Sequence, residues 1–273
     1  MSEVVVLTGA GQIGLAIARR VSYGKKVIVA DKSLEHAQQV AQVMREAGFD
    51  VEAYETDISK RDSIGQLIVF AQQFGQIKML INAAGVSPSQ ASIEQILQVD
   101  LYGTAILMEE FGHVIQPGGV GLTISSQSGH RLPALTMEQN RQFALTPTEE
   151  LLALDCLQVA NIKDTLHAYQ LAKRCNVHRV MGEAVKWGKR QARINSISPG
   201  IIVTPLALDE FNGERGDFYK KMFATSPAGR PGTADEVANV AELLLSERAS
   251  FITGSDFLMD GGATASFFYG KEQ

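Results

Sequence analysis

The sequence predicts a doubly wound α/β fold, in which helices cover both faces of one parallel sheet. Apolar runs of strand length alternate with segments of helical period along the first half of the chain, which is the pattern of repeated strand–helix units. The runs at residues 4–7 and 27–30 are continuously apolar, which suits strands that are buried on both faces. Right-handed crossovers would join neighbouring strands.

Five runs in the first half have the length and composition of strands: residues 4–7, 27–30, 51–56, 79–81 and 120–124. The first run is followed by apolar residues at helical spacing from Ile13 to Val21. Ser33 is placed to cap a second helix that extends to about residue 47, and a third helix is expected over residues 62–74.

The second half of the chain continues the pattern. A long helix is expected over residues 165–189, and strands are expected over residues 194–197 and 257–259. Thr233 and Glu236 have the spacing of a capping box that opens another helix. No linker rich in Pro, Ser or Gly and no repeat interrupts the 273 residues, so we expect a single domain with three αβα layers over residues 1–273.

Composition excludes several classes of protein and partner. Hydrophobic residues make up 45% and charged residues 20%, as in soluble globular proteins, and a net charge of -5 argues against a nucleic-acid partner. No apolar run approaches the ~20 residues that span a bilayer, and the N-terminus lacks the basic region of a signal peptide. We therefore expect a cytoplasmic protein without a membrane partner. The spacing of Cys156, Cys175 and the histidines predicts no metal site.

A glycine-rich turn follows the first strand and opens the first helix. It contains Gly9, Gly11, Gln12, Ile13 and Gly14 in a GxGxxG pattern, and Asp31 ends the second strand. In Rossmann-like sites such a turn approaches the pyrophosphate of a dinucleotide, and the acid binds the adenosine ribose. Asp31 would repel a 2′-phosphate, which favours NAD over NADP, although Lys32 could neutralise that phosphate. Methyltransferases that bind S-adenosylmethionine use a similar turn, and Asp31 could also lack any ligand.

Tyr169 and Lys173 lie four positions apart in the long predicted helix and therefore on one face of it. A neighbouring ammonium group favours the phenolate and lowers the pKa of a tyrosine from its ordinary value of ~10. Such a tyrosine is suited to protonate a carbonyl oxygen or to deprotonate an alcohol. Two unrelated surface residues would show the same spacing, so the meaning of the pattern depends on its surroundings.

Taken together, these motifs resemble those of the short-chain dehydrogenases/reductases, and the resemblance covers nearly the whole chain. The matching segments occur in the family's order: the glycine turn, Asp31, residues 56–58, 82–85 and 124–126, Tyr169 with Lys173, residues 199–200 and 204–205, and residues 260–262. The resemblance implies that Tyr169 is the general acid/base and that Ser126 holds the substrate oxygen. It also implies that Lys173 binds the nicotinamide ribose and lowers the pKa of the tyrosine.

The resemblance further implies which residues contact the cofactor. Residues 57–58 would flank the adenine, residues 82–85 would pass beneath the cofactor, and residues 199–204 would lie along its nicotinamide half. The complete set is Gly9, Gly11, Gln12, Ile13, Gly14, Asp31, Asp57, Ile58, Asn82, Ala83, Ala84, Gly85, Tyr169, Lys173, Pro199, Gly200, Ile202 and Thr204. Structural alternatives remain: Ser125 or Ser128 could replace Ser126, residues 82–85 could be an ordinary strand exit, and His130 is expected to be structural or solvent-facing.

Three positions depart from the family pattern. The glycine turn is one residue shorter than the usual TGxxxGxG, and Ala83 replaces the commoner second asparagine. At the position of the asparagine that serves the family's proton relay, this chain has Asp100, which we include among the catalytic residues. Its carboxylate could relay protons through Lys173 and a water molecule, or it could shift the pH optimum.

An insertion at about residues 130–166 separates Ser126 from Tyr169, which are 43 positions apart. Family members that resemble 3α-hydroxysteroid dehydrogenase/carbonyl reductase carry a similar insertion. Capping-box spacing at residues 136–139 and 146–149 predicts two short helices, over residues 137–144 and 147–158. Their apolar side chains, which include Leu132, Phe143, Leu151 and Leu157, would line a lid over a bulky hydrophobic substrate, or would bury against the domain or another subunit.

The sequence therefore predicts an NAD(H)-dependent oxidoreductase that interconverts a ketone or other carbonyl compound and a secondary alcohol, with a small molecule as its substrate. The resemblance implies a homotetramer or homodimer, and the aromatic residues 267–269 offer surface for a neighbouring chain. Two alternatives remain open. One is an NADP-preferring carbonyl reductase that uses Lys32, and the other is a non-catalytic nucleotide-sensing scaffold.

Overall fold

One seven-stranded parallel sheet organises the molecule, and its strand order is β3-β2-β1-β4-β5-β6-β7. The structure is a computed structural model that describes residues 2–205, 207 and 216–270. The strands are β1 (Ser2–Thr8), β2 (Lys26–Asp31), β3 (Asp50–Glu55), β4 (Gly75–Asn82), β5 (Val120–Ile124), β6 (Arg193–Pro199) and β7 (Asp256–Met259). The strand order reverses between β1 and β4, and open sheets of this kind bind ligands at such a switch point, outside the carboxyl ends of the strands.

Helices cover both faces of the sheet, which confirms the predicted doubly wound fold. The helices are α1 (Gln12–Val21), α2 (Leu34–Glu46), α3 (Arg61–Gln72), α4 (Ile93–Ile96), α5 (Thr104–Val114), α6 (Gln127–His130), α7 (Met137–Leu145) and α8 (Thr165–Gly188). Beyond them lie the helices Gly216–Thr225, Ala234–Leu245 and Ala263–Tyr269. A π-helical segment, Leu97–Gly103, joins α4 to α5 without a break.

Two apolar cores, one on each face of the sheet, hold the three layers together. On one face, α1, α2 and the helix Ala234–Leu245 pack on the sheet through residues such as Leu7, Ile17 and Met44. On the other face, α3, α5 and α8 pack through residues such as Phe111 and Trp187. The Trp187 indole is fully buried, and its N–H donates to the carbonyl of Met108 at 2.9 Å, so its one polar atom is satisfied.

The insertion forms a third apolar cluster instead of extending into solvent. Leu132, Phe143, Leu151 and Leu157 are buried in this cluster, which they share with side chains from the π-helical segment and from the N-terminal half of α8. The insertion therefore packs directly on the two elements that carry three of the predicted catalytic residues, Asp100, Tyr169 and Lys173. This is the arrangement of the structural alternative, in which these apolar side chains bury against the domain.

Only the first of the two predicted insertion helices is confirmed. Thr136 and Gln139 form the expected capping box at the start of α7. The prediction of a helix over residues 147–158 is wrong: three separate 3-10 turns, Thr148–Ala153, Asp155–Leu157 and Val159–Asn161, occupy this region. Tertiary contacts override helical propensity here, because Arg179 donates to the Thr146 carbonyl and to the Thr148 hydroxyl, and Glu109 accepts from that same hydroxyl.

Among the described residues, no helix combines the length and the apolar character that crossing a bilayer requires.

Candidate active site

The glycine turn after β1 fits tightly beneath the segment that follows β4. Gly9 has φ +85°, and a Cβ at this position would lie 2.4 Å from the amide nitrogen of Ala84. A Cβ at Gly14 would lie 2.6 Å from the Gly9 carbonyl oxygen, whereas one at Gly11 would meet nothing within 4 Å. Packing therefore requires glycine at positions 9 and 14 of the turn. At Gly11 the backbone is open to a ligand.

The N-terminus of α1 is suited to bind an anion. Gly11 caps the helix without a side-chain hydrogen bond, and the first turn contains no acidic residue. The first amides of a helix lack intrahelical acceptors and carry the positive end of the helix dipole. These observations fit the pyrophosphate of a dinucleotide, which would be held by the amides near Gln12 and Ile13.

Asp31 lies at the end of β2, directly beside the glycine turn. Its carboxylate accepts hydrogen bonds from the backbone amides of Ala10 at 2.9 Å and Ser33 at 3.0 Å. Lys32 points to Asp57 instead, and its ammonium group lies 3.5 Å from that carboxylate. Burial raises the pKa of Asp57, but hydrogen bonds from Ser59 and the charge of Lys32 outweigh it and hold that pKa below its usual value.

The segment 82–85 has a structural role of its own. The buried Asn82 side chain accepts from the Thr8 hydroxyl at 3.0 Å and from the Ala84 amide at 3.3 Å, so it joins the ends of β1 and β4. A Cβ at Gly85 would lie 2.5 Å from Asp100 Oδ1 and 3.5 Å from Lys173 Nζ. The predicted cofactor segment and two of the predicted catalytic residues therefore meet at Gly85.

Tyr169 and Lys173 lie next to each other on α8, as their spacing predicts. The Lys173 ammonium group is 5.2 Å from the centroid of the Tyr169 ring, and the lysine is only 4% exposed. Asp164 caps the helix by accepting from the His167 amide at 2.7 Å, which fixes the start of α8 one turn before Tyr169. The phenol and the ammonium group thus share one partly buried site.

Asp100 is completely buried and forms an ion pair with Lys173, at 3.1 Å between Oδ1 and Nζ. It lies in the π-helical segment, and Asn176 donates to its backbone carbonyl at 2.8 Å. Burial alone would lower the pKa of Lys173, but the adjacent Asp100 charge and hydrogen bond, together with Tyr169, raise it above its usual value. Burial raises the pKa of Asp100, against the opposing effects of Lys173 and the Val86 amide.

The structure distinguishes two of the three candidate serines, Ser125 and Ser126, by their side-chain contacts. The Ser125 hydroxyl is buried and donates to the Lys173 carbonyl at 2.9 Å, so it holds β5 to α8. Ser126 caps α6, and its side chain accepts from the Ser128 amide at 3.2 Å while staying partly exposed. These contacts favour Ser126 over Ser125 as the residue that meets a substrate.

His130 belongs to a partly buried polar cluster that sequence reasoning missed. Its Nε2 lies 2.7 Å from a carboxylate oxygen of Asp256, and Asp256 also accepts from the hydroxyls of Ser196 at 2.6 Å and Ser198 at 2.9 Å. The Gly129 carbonyl accepts from Arg174 at 2.8 Å. The turn after Ser126 is therefore fastened to β7 and to α8. The one sequence signal for this cluster was Asp256, a polar residue directly before the apolar run 257–259.

The segment 199–204 closes the other side of the site. A Cβ at Gly200 would lie 2.7 Å from the Asp260 Cα, and the Thr204 hydroxyl accepts from the Ala207 amide at 3.2 Å. Gly200 and Ile202 line a cavity of about 210 Å³, which the helix Gly216–Thr225 borders. Pro205, whose pairing with Thr204 supported the resemblance, precedes residues 206 and 208–215, which lie outside the described part of the chain.

Comparisons with known proteins give matches that extend over nearly the whole chain. Residues 3–137 match a family model described as short chain dehydrogenase, and residues 133–264 match one described as enoyl-(acyl carrier protein) reductase. The short-chain dehydrogenase/reductase bsc3 of Alternaria brassicicola is 39% identical over 264 residues, which cover 96% of each chain. The 7α-hydroxysteroid dehydrogenase of Bacteroides fragilis is 29% identical over 267 residues, 96% of this chain and 95% of that one.

A solved structure shares the fold. A 7α-hydroxysteroid dehydrogenase in complex with NADH and 7-oxo glycochenodeoxycholic acid matches with a TM-score of 0.75 at 24% identity, over 95% of this chain and 93% of that one.

Proposed function

Because the chain belongs to the short-chain dehydrogenase/reductase family, we propose that it is an NAD(H)-dependent oxidoreductase that interconverts a ketone and a secondary alcohol. The observation that carries the proposal is that Lys173 lies against both the Tyr169 ring and Gly85, which follows the segment that packs on the glycine turn. We propose a bulky, cyclic secondary alcohol as the substrate class, since a relative of nearly full length is a 7α-hydroxysteroid dehydrogenase.

In this proposal the residues of the chain have separate tasks. The nicotinamide, when bound, supplies or accepts the hydride. Tyr169 donates a proton to the carbonyl oxygen in reduction and removes it from the hydroxyl in oxidation, while Ser126 holds that oxygen. Lys173 stabilises the phenolate and binds the nicotinamide ribose. Asp31 binds the adenosine ribose, and the amides at the start of α1 bind the pyrophosphate.

We propose that the insertion supports the site from behind. Its buried side chains pack on α8 and on the π-helical segment, which carry Tyr169, Lys173 and Asp100. Leu132, Phe143, Leu151 and Leu157 are each at most 4% exposed and pack inward, whereas Met137 and Leu145 of the same segment are exposed. Packing of this kind holds the catalytic side chains in one geometry, which a proton-transfer site requires.

The function and the cofactor are tested together by following NADH absorbance with a panel of cyclic and linear secondary alcohols and ketones. We expect turnover with NAD(H) and a rate with NADP(H) lower by on the order of tenfold to hundredfold, because the Asp31 carboxylate beside the glycine turn would repel a 2′-phosphate and Lys32 is paired with Asp57. Asp31→Asn should reduce this preference, and Lys32→Ala should leave it unchanged. NADH binding without turnover of any panel member would favour the scaffold alternative, and a slower NADPH reaction in Lys32→Ala would favour the NADP alternative.

The Asp100 carboxylate is expected to raise the pH at which alcohol oxidation becomes fast. The raised pKa of Lys173 keeps its ammonium group charged, but Asp100, 3.1 Å away, offsets part of that charge at Tyr169. Asp100→Asn should stabilise the phenolate and move the acidic limb of the kcat/KM profile for oxidation down by about 1 pH unit. Asp217→Asn, at a 98% exposed side chain, is the control. An unchanged or upward-shifted limb in Asp100→Asn would contradict this role.

A further inference from the structure

Arg131 is a partly buried cation whose direct contacts are with uncharged groups. Its guanidinium group donates to Gln127 Oε1 at 2.9 Å, lies 3.6 Å from the sulfur of Met222, and lies 5.5 Å from the centroid of the Phe267 ring. Its Nε is buried without a hydrogen-bond partner. Within the part of the chain that the structure describes, no carboxylate forms an ion pair with Arg131.

This arrangement leaves much of the hydrogen-bonding capacity of the side chain unused. A guanidinium group has five N–H donors, and burying its charge without a carboxylate is costly. The buried Arg179 has Glu183 at 3.8 Å, and the partly buried Arg61 has three carboxylates. Arg193, which is partly buried and has no ion pair among the described residues, donates to three backbone carbonyls instead. Burial lowers the pKa of Arg131, and only the charge of Asp260 opposes that effect.

Asp260 does not take the place of the missing partner. Its two carboxylate oxygens accept from the amides of Gly262 at 2.9 Å and Thr264 at 2.7 Å. Asp260 contributes negative charge to the surroundings of Arg131 without a direct hydrogen bond to it. The site can therefore accept one further acceptor group of low charge, whereas a dianion would be repelled by Asp260.

Arg131 also adjoins the turn that carries Ser126 and contacts two residues that line a neighbouring cavity. It directly follows α6, the short helix that Ser126 caps, and it contacts Gln127, the residue after Ser126. Gln127 and Met222, both in contact with Arg131, line the 210 Å³ cavity together with Gly200 and Ile201. The unused donors thus lie between the catalytic turn, the helix Gly216–Thr225 and the C-terminal helix.

We propose that Arg131 binds a carboxylate of the substrate, so that the enzyme acts on hydroxy acids and oxo acids whose acid group is remote from the reacting carbon. The inference rests on the proposed function and names its substrate class. A carboxylate is a monoanion whose two oxygens match the forked donors of a guanidinium group. It would supply the partner that Arg131 lacks and would hold the substrate beside the turn that carries Ser126.

Calorimetric titration with two ligands that cannot react tests the proposal without relying on turnover. Cyclohexanecarboxylate and cyclohexanecarboxamide have nearly the same shape and differ in charge, and neither carries a hydroxyl group to oxidise. We expect the carboxylate to bind the enzyme, free or with NADH, about tenfold more tightly than the amide. Arg131→Met should remove this difference, whereas Arg248→Met, at an exposed arginine, should retain it.

The outcomes separate this proposal from the proposed function. Equal binding of both ligands to the unaltered enzyme, or a preference that survives Arg131→Met, would overturn the carboxylate site. A matching loss of NADH affinity in Arg131→Met would also overturn it, because the anion would then be a cofactor phosphate. If Arg131→Met does not fold, Arg131→Lys provides the test. Lysine keeps the positive charge but lacks the paired N–H donors of the guanidinium group, so this variant should bind the carboxylate several-fold more weakly. A carboxylate preference in an enzyme that turns over no alcohol would uphold the site and refute the function.

Discussion

Replacing Tyr169 with phenylalanine is expected to lower kcat about a hundredfold to ten-thousandfold, because the only group lost is the hydroxyl that transfers the proton. NADH affinity should stay within about twofold, since the nucleotide contacts proposed for Asp31 and the glycine turn are unchanged. Steady-state rates at the pH optimum and fluorescence titration with NADH measure the two effects. The loss should be in kcat, since the proton is transferred in the transition state.

Tyr102→Phe is the matched control for this experiment. It removes a phenol hydroxyl that donates to Glu149 at 2.7 Å, where the π-helical segment meets the insertion. This variant should keep kcat near that of the unaltered enzyme, because Tyr102 has no place in the proposed chemistry. Retention of most of the rate in Tyr169→Phe, or an equal loss in both variants, would show that the assigned general acid/base is wrong.

Lys173→Met is expected to destabilise the protein by about 3–5 kcal/mol near pH 8, because it leaves the fully buried Asp100 carboxylate without its counter-ion. The midpoint and slope of urea unfolding measure this change. Activity should fall as well, since the charge that stabilises the Tyr169 phenolate is lost. Lys220→Met removes an exposed lysine that lies 3.4 Å from Asp217 and should cost at most about 0.5 kcal/mol.

The burial of Asp100 determines how the stability loss in Lys173→Met depends on pH. In Lys173→Met, burial raises the pKa of Asp100 above that of the unfolded chain, so its neutral form is favoured in the folded protein. The stability deficit should therefore be largest at alkaline pH and should shrink as the pH is lowered through the folded pKa. Lys173→Met with Asp100→Asn should recover most of the stability but not the activity. A deficit that grows in acid, or a double variant no more stable than Lys173→Met, would contradict this account.

Features that depend on local order along the chain were predictable. The strand runs and helices follow from apolar period, and all seven sequence-predicted strands are confirmed. Tyr169 and Lys173 lie together because four positions on a helix return to the same face, whatever the rest of the fold does. Gly9 and Gly14 form a tight turn because a strand that leads straight into a helix needs backbone conformations and close approaches that only glycine tolerates.

Features that depend on distant packing were not predictable. The 3-10 turns of the insertion replace a predicted helix because Arg179 and Glu109, on other elements, bind the Thr146–Thr148 region. Asp256 stands out in the sequence only by its place before an apolar run, which does not predict its pairing with His130, 126 positions away. The same holds for the contact of Arg131 with Met222, which brings a cation without an ion-pair partner among the described residues next to a side chain that lines a cavity.

The sequence by itself determined the doubly wound fold, the glycine turn and the Tyr169–Lys173 pair, because periodicity and turn chemistry act over a few residues. Whether Asp100 meets Lys173 was left to the tertiary structure, since these residues are 73 positions apart and only the packing of the π-helical segment on α8 brings them to 3.1 Å. The tertiary structure likewise decided that the insertion packs on α8 instead of hanging free. Burial and charge pairing are properties of three-dimensional neighbours, and the order of residues along the chain constrains them only weakly.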